Sequence, residues 1–183
     1  LPADRAHCGT NGLDMHYRDA INIEDLRAIA RRRLPHFVFA YIDGGAEDEL
    51  TLRGNRDAFA RLRFRPRTLV DVSARDLSTQ LLGRPSALPV VVGPTGLNGL
   101  FWRDGDMELA RAAAAASLPF AMSTVSMSLI EDIAREAPGR LWLQAYVFSE
   151  RRVTEAMIGR ARDAGFECVM LTSDFPVAGK RER

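Results

Sequence analysis

The sequence is poor in cysteine, lysine and histidine, and the shortage of cysteine limits what kind of protein it can be. Its two cysteines, Cys8 and Cys168, provide neither a disulfide framework nor a metal-site spacing, so we predict no metal and a reducing compartment. Lys180 is the only lysine, yet 25 basic residues balance 24 acidic ones to a net charge of +1. That balance predicts no nucleic-acid partner.

Long apolar runs are also missing. No run approaches the length of a membrane span, and the polar N-terminus lacks the apolar segment of a signal peptide, so we expect a cytoplasmic protein. Residues 1–20 have no periodicity and are rich in turn formers, which predicts a disordered tail. The 183-residue sequence has an ordinary globular composition, enough for one domain with a sizeable core, which we place in residues 21–183.

Helical patterns occupy the first part of this region. Asn22 is placed to cap a helix that runs to Leu34, and Pro35 opens a second helix that stops at Gly44 and Gly45. A third helix is predicted from Glu47 to about Phe59. These helices would form a cap on the remainder of the chain. Residues 61–73 are expected to be extended, and residues 79–82 to form a short strand outside the main sheet.

Strands and helices then alternate. Each of four apolar segments ends in polar residues, which is how α/β proteins build sites at strand ends. The segments are Leu88–Leu100 with its strand Val90–Val92, Pro119–Thr124, Leu141–Tyr146 and Cys168–Asp174. The helices predicted between them are Asp104–Ser117, with Met107, Ala110 and Ala114 on one face, a helix to Ala137 with a capping box at Ser128 and Glu131, and a helix capped by Ser149, with Val153, Ala156, Met157 and Ala161 facing inward.

Two architectures fit this alternation. One is an open doubly wound sheet, and the other is a (β/α)8 barrel of which only the first half is present. Gly93, Gly96 and Gly99 do not match the dinucleotide fingerprint, and no P-loop sequence occurs. A barrel needs eight strands and roughly 250 residues, whereas this sequence stops just past its fourth predicted strand.

The polar strand ends are candidates for chemistry, each with a structural alternative. Gly96 is either a turn glycine or a point where backbone approaches a flat ligand. The partners that a buried Gln144 amide needs come from a ligand or from a neighbouring strand. Tyr146 and Asp174 are candidate catalytic groups, although Asp174 could instead form a salt bridge. Arg181 binds an anionic substrate or is a surface residue.

An imidazole base is not available at these strand ends. His7, His16 and His36 all precede the alternating region. Chemistry that requires such a base would need it from elsewhere.

Several motifs resemble the FMN-dependent 2-hydroxy-acid oxidases and dehydrogenases, and among them the mandelate dehydrogenase branch most. The similarity runs from about Asn22 to Arg183. It is carried by LPHFVFAYIDGGAEDELTLRGNRDAF, RFRPRTLVDVS, GPTGLNGL, MSTVS, LWLQAYV and LTSDFPVAGKRER. The resemblance implies a helical cap followed by the first half of an FMN-binding (β/α)8 barrel.

The resemblance also implies roles for individual residues. Those expected at the cofactor are Thr95 and Gly96, whose backbone lies against the flavin, and Ser123, Gln144 and Thr172, which bond to its ring. Those expected at the substrate are Tyr41, Tyr146 and Arg181, and Asp174 would pair with the catalytic histidine. That histidine, the main substrate arginine and the flavin-polarising lysine belong to the second half of the family's barrel. We therefore expect this chain alone to be inactive and unstable.

Two positions refine the expected activity. Gly96 matches the mandelate branch, where many oxidases have alanine, which favours an acceptor other than oxygen, such as a quinone or a cytochrome. Val125 replaces a tryptophan of glycolate oxidase, which favours a bulky aromatic substrate of L (S) configuration such as mandelate. By resemblance we expect a homo-oligomer, usually a tetramer, in the cytoplasm or on the inner face of the cytoplasmic membrane. The alternative is a truncated, non-catalytic remnant that interacts with a full-length homologue.

Overall fold

The computed structural model describes residues 16–174 and 177–182, which belong to two compact units. Unit 1 contains the chain up to Arg63 together with the returning segment from Gly179, and unit 2 is Phe64–Ala178. Residues 1–15 of the predicted disordered tail lie outside the described residues. Beyond them the prediction extends too far, because Tyr17–Asp19 forms a short 3-10 helix that the His16 side chain caps.

Unit 1 contains the three predicted helices. They are α1 (Ile23–Arg33), α2 (His36–Asp43) and α3 (Leu50–Ala60). Asn22 caps α1 as predicted, since its side-chain oxygen accepts a hydrogen bond from the Asp25 N–H at 2.8 Å. Helix α2 ends at Asp43, directly before the predicted stop at Gly44. Helix α3 begins later than predicted because Glu47 and Glu49 have φ values of 47° and 57°, in the left-handed region that interrupts a helix.

Unit 2 begins with an extended connection and a hairpin. Strands β1 (Thr79–Leu81) and β2 (Arg84–Ser86) pair antiparallel, which confirms the predicted short strand outside the main sheet. The two residues between them, Leu82 and Gly83, both have positive φ, at 52° and 74°. This is the combination that a two-residue hairpin turn of type I′ requires.

The main sheet of unit 2 is parallel and alternates with helices. Its order is β3 (Phe120–Met122), β4 (Leu141–Ala145) and β5 (Cys168–Leu171). The helices are α4 (Asn98–Phe101), α5 (Gly105–Ala115), α6 (Ile130–Glu136) and α7 (Arg151–Asp163). All five residues of β4 are buried, whereas alternate residues of β5 are exposed. Strand β4 is therefore the centre of the described sheet, and Cys168 is only partly buried at its edge.

The first predicted strand is reduced to one bridge. Val92 donates its N–H to the Pro119 carbonyl and accepts the Ala121 N–H, both at 2.9 Å, and pairs parallel with Phe120. Val90, which opens the predicted apolar strand, is 49% exposed. The reason is that, among the described residues, the sheet ends at this edge, and an apolar face stays open there as expected for half a barrel.

The core of unit 2 lies between the sheet and its helices. It contains side chains from β3, β4, α5, α6 and α7, namely Met107, Ala110, Ala113, Phe120, Met122, Ile130, Ile133, Ala137, Leu141, Leu143 and Ala161. Burying such apolar surface supplies roughly 25 cal/mol for each Å² removed from water. Met107 and Ala110 face inward as predicted, whereas Ala113 is more deeply buried than Ala114.

Two predicted helix caps are wrong. The capping box at Ser128 does not form, because the Ser128 N–H is held by the Ser126 hydroxyl at 3.1 Å and Leu129 occupies the cap position. Ser149 does not cap α7, which follows Glu150. Instead, the Thr154 hydroxyl accepts the Phe148 N–H at 3.0 Å, which turns Thr154 inward.

With Thr154 facing inward, the buried face of α7 differs from the predicted one. Val153 is 44% exposed and Ala156 is exposed as well, so both are wrongly predicted to face inward. Ala161 is buried and Met157 packs against the core, as predicted.

An ion-pair cluster holds the N-terminal ends of β4 and β5. Arg140 binds the Glu167 carboxylate, with Nη2 and Oε2 3.0 Å apart, and the exposed fractions of the two side chains are 15% and 13%. Arg140 also donates to the carbonyls of Leu81 (2.8 Å) and Arg84 (3.2 Å), which ties the hairpin to the sheet. Burial acts to raise the pKa of Glu167. The hydrogen bonds from Arg140 and Trp142 and the positive charges outweigh burial, so this pKa lies below its ordinary value.

None of the helices within residues 16–174 and 177–182 is long and apolar enough to cross a membrane.

Candidate functional site

The candidate site lies where the parallel strands of unit 2 end. Ser123 directly follows β3, Gln144 is the penultimate residue of β4, and Thr172 directly follows β5. Parallel pairing brings these ends to one edge of the sheet. Ser123 and Gln144 are 5% and 3% exposed. The structure therefore brings together three residues that the sequence predicted as cofactor contacts.

A hydrogen-bond network joins these residues through the Gln144 carboxamide. Its Oε1 accepts from the Ser123 hydroxyl at 3.3 Å and from the Thr124 N–H at 3.0 Å. Its Nε2 donates to the Thr172 hydroxyl at 2.8 Å. Because a backbone N–H can only donate, Thr124 fixes which end of the amide faces β3. Residues that follow the neighbouring strands thus supply hydrogen-bond partners for Gln144, which was one of the two predicted possibilities, the other being a ligand.

The amide retains one unused donor. Nε2 carries two hydrogens, and the described residues offer an acceptor for only the one that Thr172 receives. The hydroxyls of Ser123 and Thr172 add further polar atoms at the same edge. This group of uncharged donors and acceptors suits a planar, polar heterocycle better than an ion.

Gly96 lies in close contact with the loop that follows β3. A Cβ atom built on Gly96 would be 2.4 Å from Cγ2 of Val125, much less than the 3.5–4.0 Å of ordinary carbon contacts. The next residue, Leu97, donates its N–H to the Val125 carbonyl at 3.1 Å. A side chain at position 96 would therefore force Val125 to move, whether or not a ligand also lies against this loop.

The remaining predicted residues of unit 2 lie near this edge with more exposure. Tyr146 directly follows β4, is half-buried, and donates its N–H to the Thr124 hydroxyl at 3.0 Å. Thr95 lies in the loop before Gly96 and is exposed. Asp174 follows β5 by three residues and is exposed, so its role as a catalytic carboxylate stays a prediction.

Unit 1 brings its own two predicted residues together. Nη1 of Arg181 donates to the carbonyl of Tyr41 at 2.8 Å and to that of Gly44 at 2.7 Å, so it binds the C-terminal end of α2. The guanidinium carbon lies 4.5 Å from the centre of the Tyr41 ring, which is a cation–π contact. This contact holds the phenol and the cation of the predicted substrate pair next to each other.

Sequence reasoning missed a buried carboxylate behind the Gly96 loop. Asp106, 1% exposed, accepts from the Asn98 amide at 2.7 Å and from the Met127 N–H at 3.0 Å. Asn98 also donates to the carbonyl of Thr95 at 2.9 Å. Asp106 therefore links the loop of Gly96 to the loop after β3. In the sequence, Asp106 is indistinguishable from an acidic residue that favours the first turn of a helix.

Comparisons with known proteins agree with this geometry. A family model described as FMN-dependent dehydrogenase matches residues 30–183. The chain is 46% identical over 166 residues to (S)-mandelate dehydrogenase from Pseudomonas putida, and the alignment covers 91% of this chain and 42% of that protein. It is 42% identical over 161 residues to glycolate oxidase 5 from Oryza sativa, covering 88% of this chain and 44% of that protein. The chain thus spans less than half the length of these relatives.

Solved structures match as well. A soluble mutant of the membrane-associated (S)-mandelate dehydrogenase from Pseudomonas putida superposes with a TM-score of 0.84 at 48% identity, over 88% of this chain and 46% of that one. A mandelate oxidase variant solved with (S)-mandelic acid has a TM-score of 0.82 at 34% identity, over 88% of this chain and 48% of that one. These matches confirm a partial (β/α)8 barrel and exclude the open doubly wound sheet.

Proposed function

Because the chain belongs to the FMN-dependent dehydrogenase family, we propose that it forms the N-terminal half of the catalytic barrel of an enzyme that oxidises a 2-hydroxy acid to the 2-oxo acid. Family membership confirms the predicted resemblance and FMN as the family's cofactor. The observation that carries the proposal is the joined network of Ser123, Gln144 and Thr172 at the strand ends.

The residues present fit FMN. Its isoalloxazine ring is flat and has hydrogen-bond donors and acceptors along one edge, which suits the unused donor of Gln144 and the hydroxyls of Ser123 and Thr172. The backbone of Thr95 and Gly96 would lie against the ring, as the resemblance to the family implies. When bound, FMN supplies the acceptor for the two electrons that leave the substrate.

The chain's own side chains would bind and orient the substrate. Arg181 carries a permanent positive charge that suits the carboxylate of a 2-hydroxy acid, and Tyr41 and Tyr146 offer hydroxyls to its polar groups. Oxidation breaks the O–H and Cα–H bonds of the substrate; one hydrogen leaves as a proton to a base, and the other leaves with or after the two electrons that pass to the acceptor. The Asp174 carboxylate would stabilise that base in its protonated form, because a nearby opposite charge favours the ionised state.

The finer assignments rest on two contacting residues. Val125 leaves more space than a tryptophan would, which supports an aromatic substrate such as (S)-mandelate. Gly96 supports an acceptor other than oxygen, a quinone or a cytochrome. A homo-oligomer in the cytoplasm, or bound peripherally to the membrane, is part of the proposal, and a mandelate dehydrogenase described as a monotopic membrane protein supports the peripheral alternative.

A visible spectrum tests the proposal. The protein translated from the complete reading frame is desalted, and its flavin absorbance is followed while (S)-mandelate, (S)-lactate or glycolate is added anaerobically. We expect a flavin band that bleaches, fastest with mandelate. A flavin that bleaches fastest with glycolate would overturn the aromatic assignment. A protein that stays colourless with added FMN would instead support the non-catalytic remnant.

A matched pair of variants tests the observation that carries the proposal. Gln144→Leu removes the buried carboxamide, whereas Gln80→Leu makes the same change at an exposed position of β1. We expect Gln144→Leu to lose FMN during desalting and Gln80→Leu to retain it. Equal retention by both would contradict the assignment of Gln144.

A further inference from the structure

We propose that the Thr124 hydroxyl is a positioning group. It makes the hydrogen bonds to β4 that the backbone of Thr124 would otherwise make, and so leaves the Thr124 N–H free to bind the Gln144 side chain. This inference rests on the proposed function, since it assigns Thr124 to the support of the cofactor and substrate residues. Sequence reasoning named Thr124 only as a polar residue at a strand end.

The register of the sheet shows the replacement. Phe120 lies opposite Leu141 and Met122 opposite Leu143, so two residues further Thr124 lies opposite Ala145. In a parallel ladder a residue bonds to the two neighbours of its partner, and Phe120 accordingly donates its N–H to the Arg140 carbonyl. By the same rule, since Thr124 lies opposite Ala145, its backbone N–H would be expected to donate to the Gln144 carbonyl. Its backbone carbonyl would be expected to accept the Tyr146 N–H.

The side chain makes both of those bonds instead. The Thr124 hydroxyl donates to the Gln144 carbonyl at 2.6 Å and accepts from the Tyr146 N–H at 3.0 Å. The Thr124 N–H, no longer needed by the ladder, donates to Gln144 Oε1 at 3.0 Å. One hydroxyl thus extends the pairing of β3 with β4 by one rung and releases one backbone donor.

This arrangement connects the two halves of the site. The released N–H fixes which end of the Gln144 carboxamide faces β3, so that Nε2 faces Thr172 and keeps one hydrogen for the cofactor. The same hydroxyl fixes the backbone of Tyr146, two residues further along the chain. Without the hydroxyl, the Thr124 N–H would return to the ladder and bond to the Gln144 carbonyl, so the carboxamide and Tyr146 would both lose a partner.

The test compares two variants of the full-length protein. Thr124→Val keeps the shape of the side chain and removes the hydroxyl, whereas Thr124→Ser keeps the hydroxyl. Thr51→Val makes the same change as the first variant at an exposed position of α3 and serves as the control. The measurements are the FMN dissociation constant, the visible flavin spectrum, kcat per bound flavin and KM, and the amide hydrogen exchange of the peptide that contains Tyr146.

We expect Thr124→Val to weaken FMN binding about tenfold, in line with the loss of one or two hydrogen bonds. Its flavin spectrum should shift, its kcat per bound flavin should fall, and the Tyr146 amide should exchange faster. Thr124→Ser and Thr51→Val should stay close to the wild type. A role in folding alone would reduce the yield of protein but leave kcat per bound flavin and the spectrum unchanged.

Several results would overturn the inference. They are a Thr124→Val protein with wild-type spectrum and exchange, or a Thr124→Ser protein as impaired as Thr124→Val. If Thr124→Val does not fold, the serine variant decides, since its impairment alone contradicts the hydroxyl's role and its wild-type behaviour supports it. A wild type that binds no FMN overturns the proposed function, while the exchange of the Tyr146 amide still decides the role of Thr124.

Discussion

Replacing Arg140 with alanine tests how much the ion-pair cluster at the N-terminal ends of β4 and β5 contributes to the free energy of unfolding. The substitution removes the ion pair with Glu167 and the hydrogen bonds to the carbonyls of Leu81 and Arg84. It also leaves the largely buried Glu167 carboxylate with the more exposed Arg84 as its remaining ion-pair partner. The hairpin and the start of the sheet lose their common anchor.

The expected cost depends on burial. Removing one partner of a buried pair costs about 3–5 kcal/mol, whereas exposed pairs contribute about 0–1 kcal/mol. At 15% and 13% exposure this pair lies near the buried limit, so we expect a loss of about 3 kcal/mol. For a domain of about 150–250 residues that corresponds to a decrease in Tm of roughly 6–12 °C, and a longer chain shows a smaller decrease.

Arg111→Ala is the matched control. Arg111 also binds two acidic side chains, Glu108 and Glu136, but it is 47% exposed. We expect it to lower Tm by at most about 4 °C. The assay is thermal unfolding of the full-length protein, followed by circular dichroism. Equal decreases in the two variants would refute the reasoning that burial, rather than the number of ion pairs, sets the cost.

Three further predictions concern the same unit. Since the pKa of Glu167 is lowered by folding, its contribution to stability is complete above its ordinary value of 4.5 and is lost as the pH falls through the lower folded value; Glu167→Gln should therefore show a flatter decline of Tm with acidification, and an unchanged slope would contradict this. Gly96→Ala should cost about 1–3 kcal/mol through its overlap with Val125, and adding Val125→Ala should recover most of that cost in chemical denaturation; strictly additive effects would argue against the contact. Asp106→Leu should lower Tm by several degrees because the Asn98 amide and a loop N–H lose their acceptor, whereas Asp57→Leu, at an exposed position of α3, should not.

Local signals predicted much of the fold. Asn22 caps α1 through a residue three positions away, so the sequence contains both partners of the bond. The parallel alternation was equally predictable, because buried strands are apolar throughout and end in polar loops. Ser128 shows the limit of such signals, since a neighbouring serine holds its N–H in place of the predicted capping partner.

Contacts between distant residues were not predictable. Arg140 and Glu167 are 27 positions apart, and only the parallel register brings them together. The same holds for Thr124 and Gln144, 20 positions apart. The resemblance identified Ser123, Gln144 and Thr172 as a group. It did not contain the bonds between them, or the carboxylate of Asp106 behind the neighbouring loop.

The contact between Arg181 and α2 has a consequence for the order in which the chain acquires structure. Arg181 and Tyr41 are 140 positions apart, because the whole sequence of unit 2 lies between the two segments that make up unit 1. Closing a flexible loop of that length costs roughly 4 kcal/mol of chain entropy. Prior folding of unit 2 shortens the free loop and removes much of this cost. During synthesis the N-terminal helices therefore emerge first from the ribosome, yet they gain their contact with Arg181 only after all of unit 2 has been synthesised.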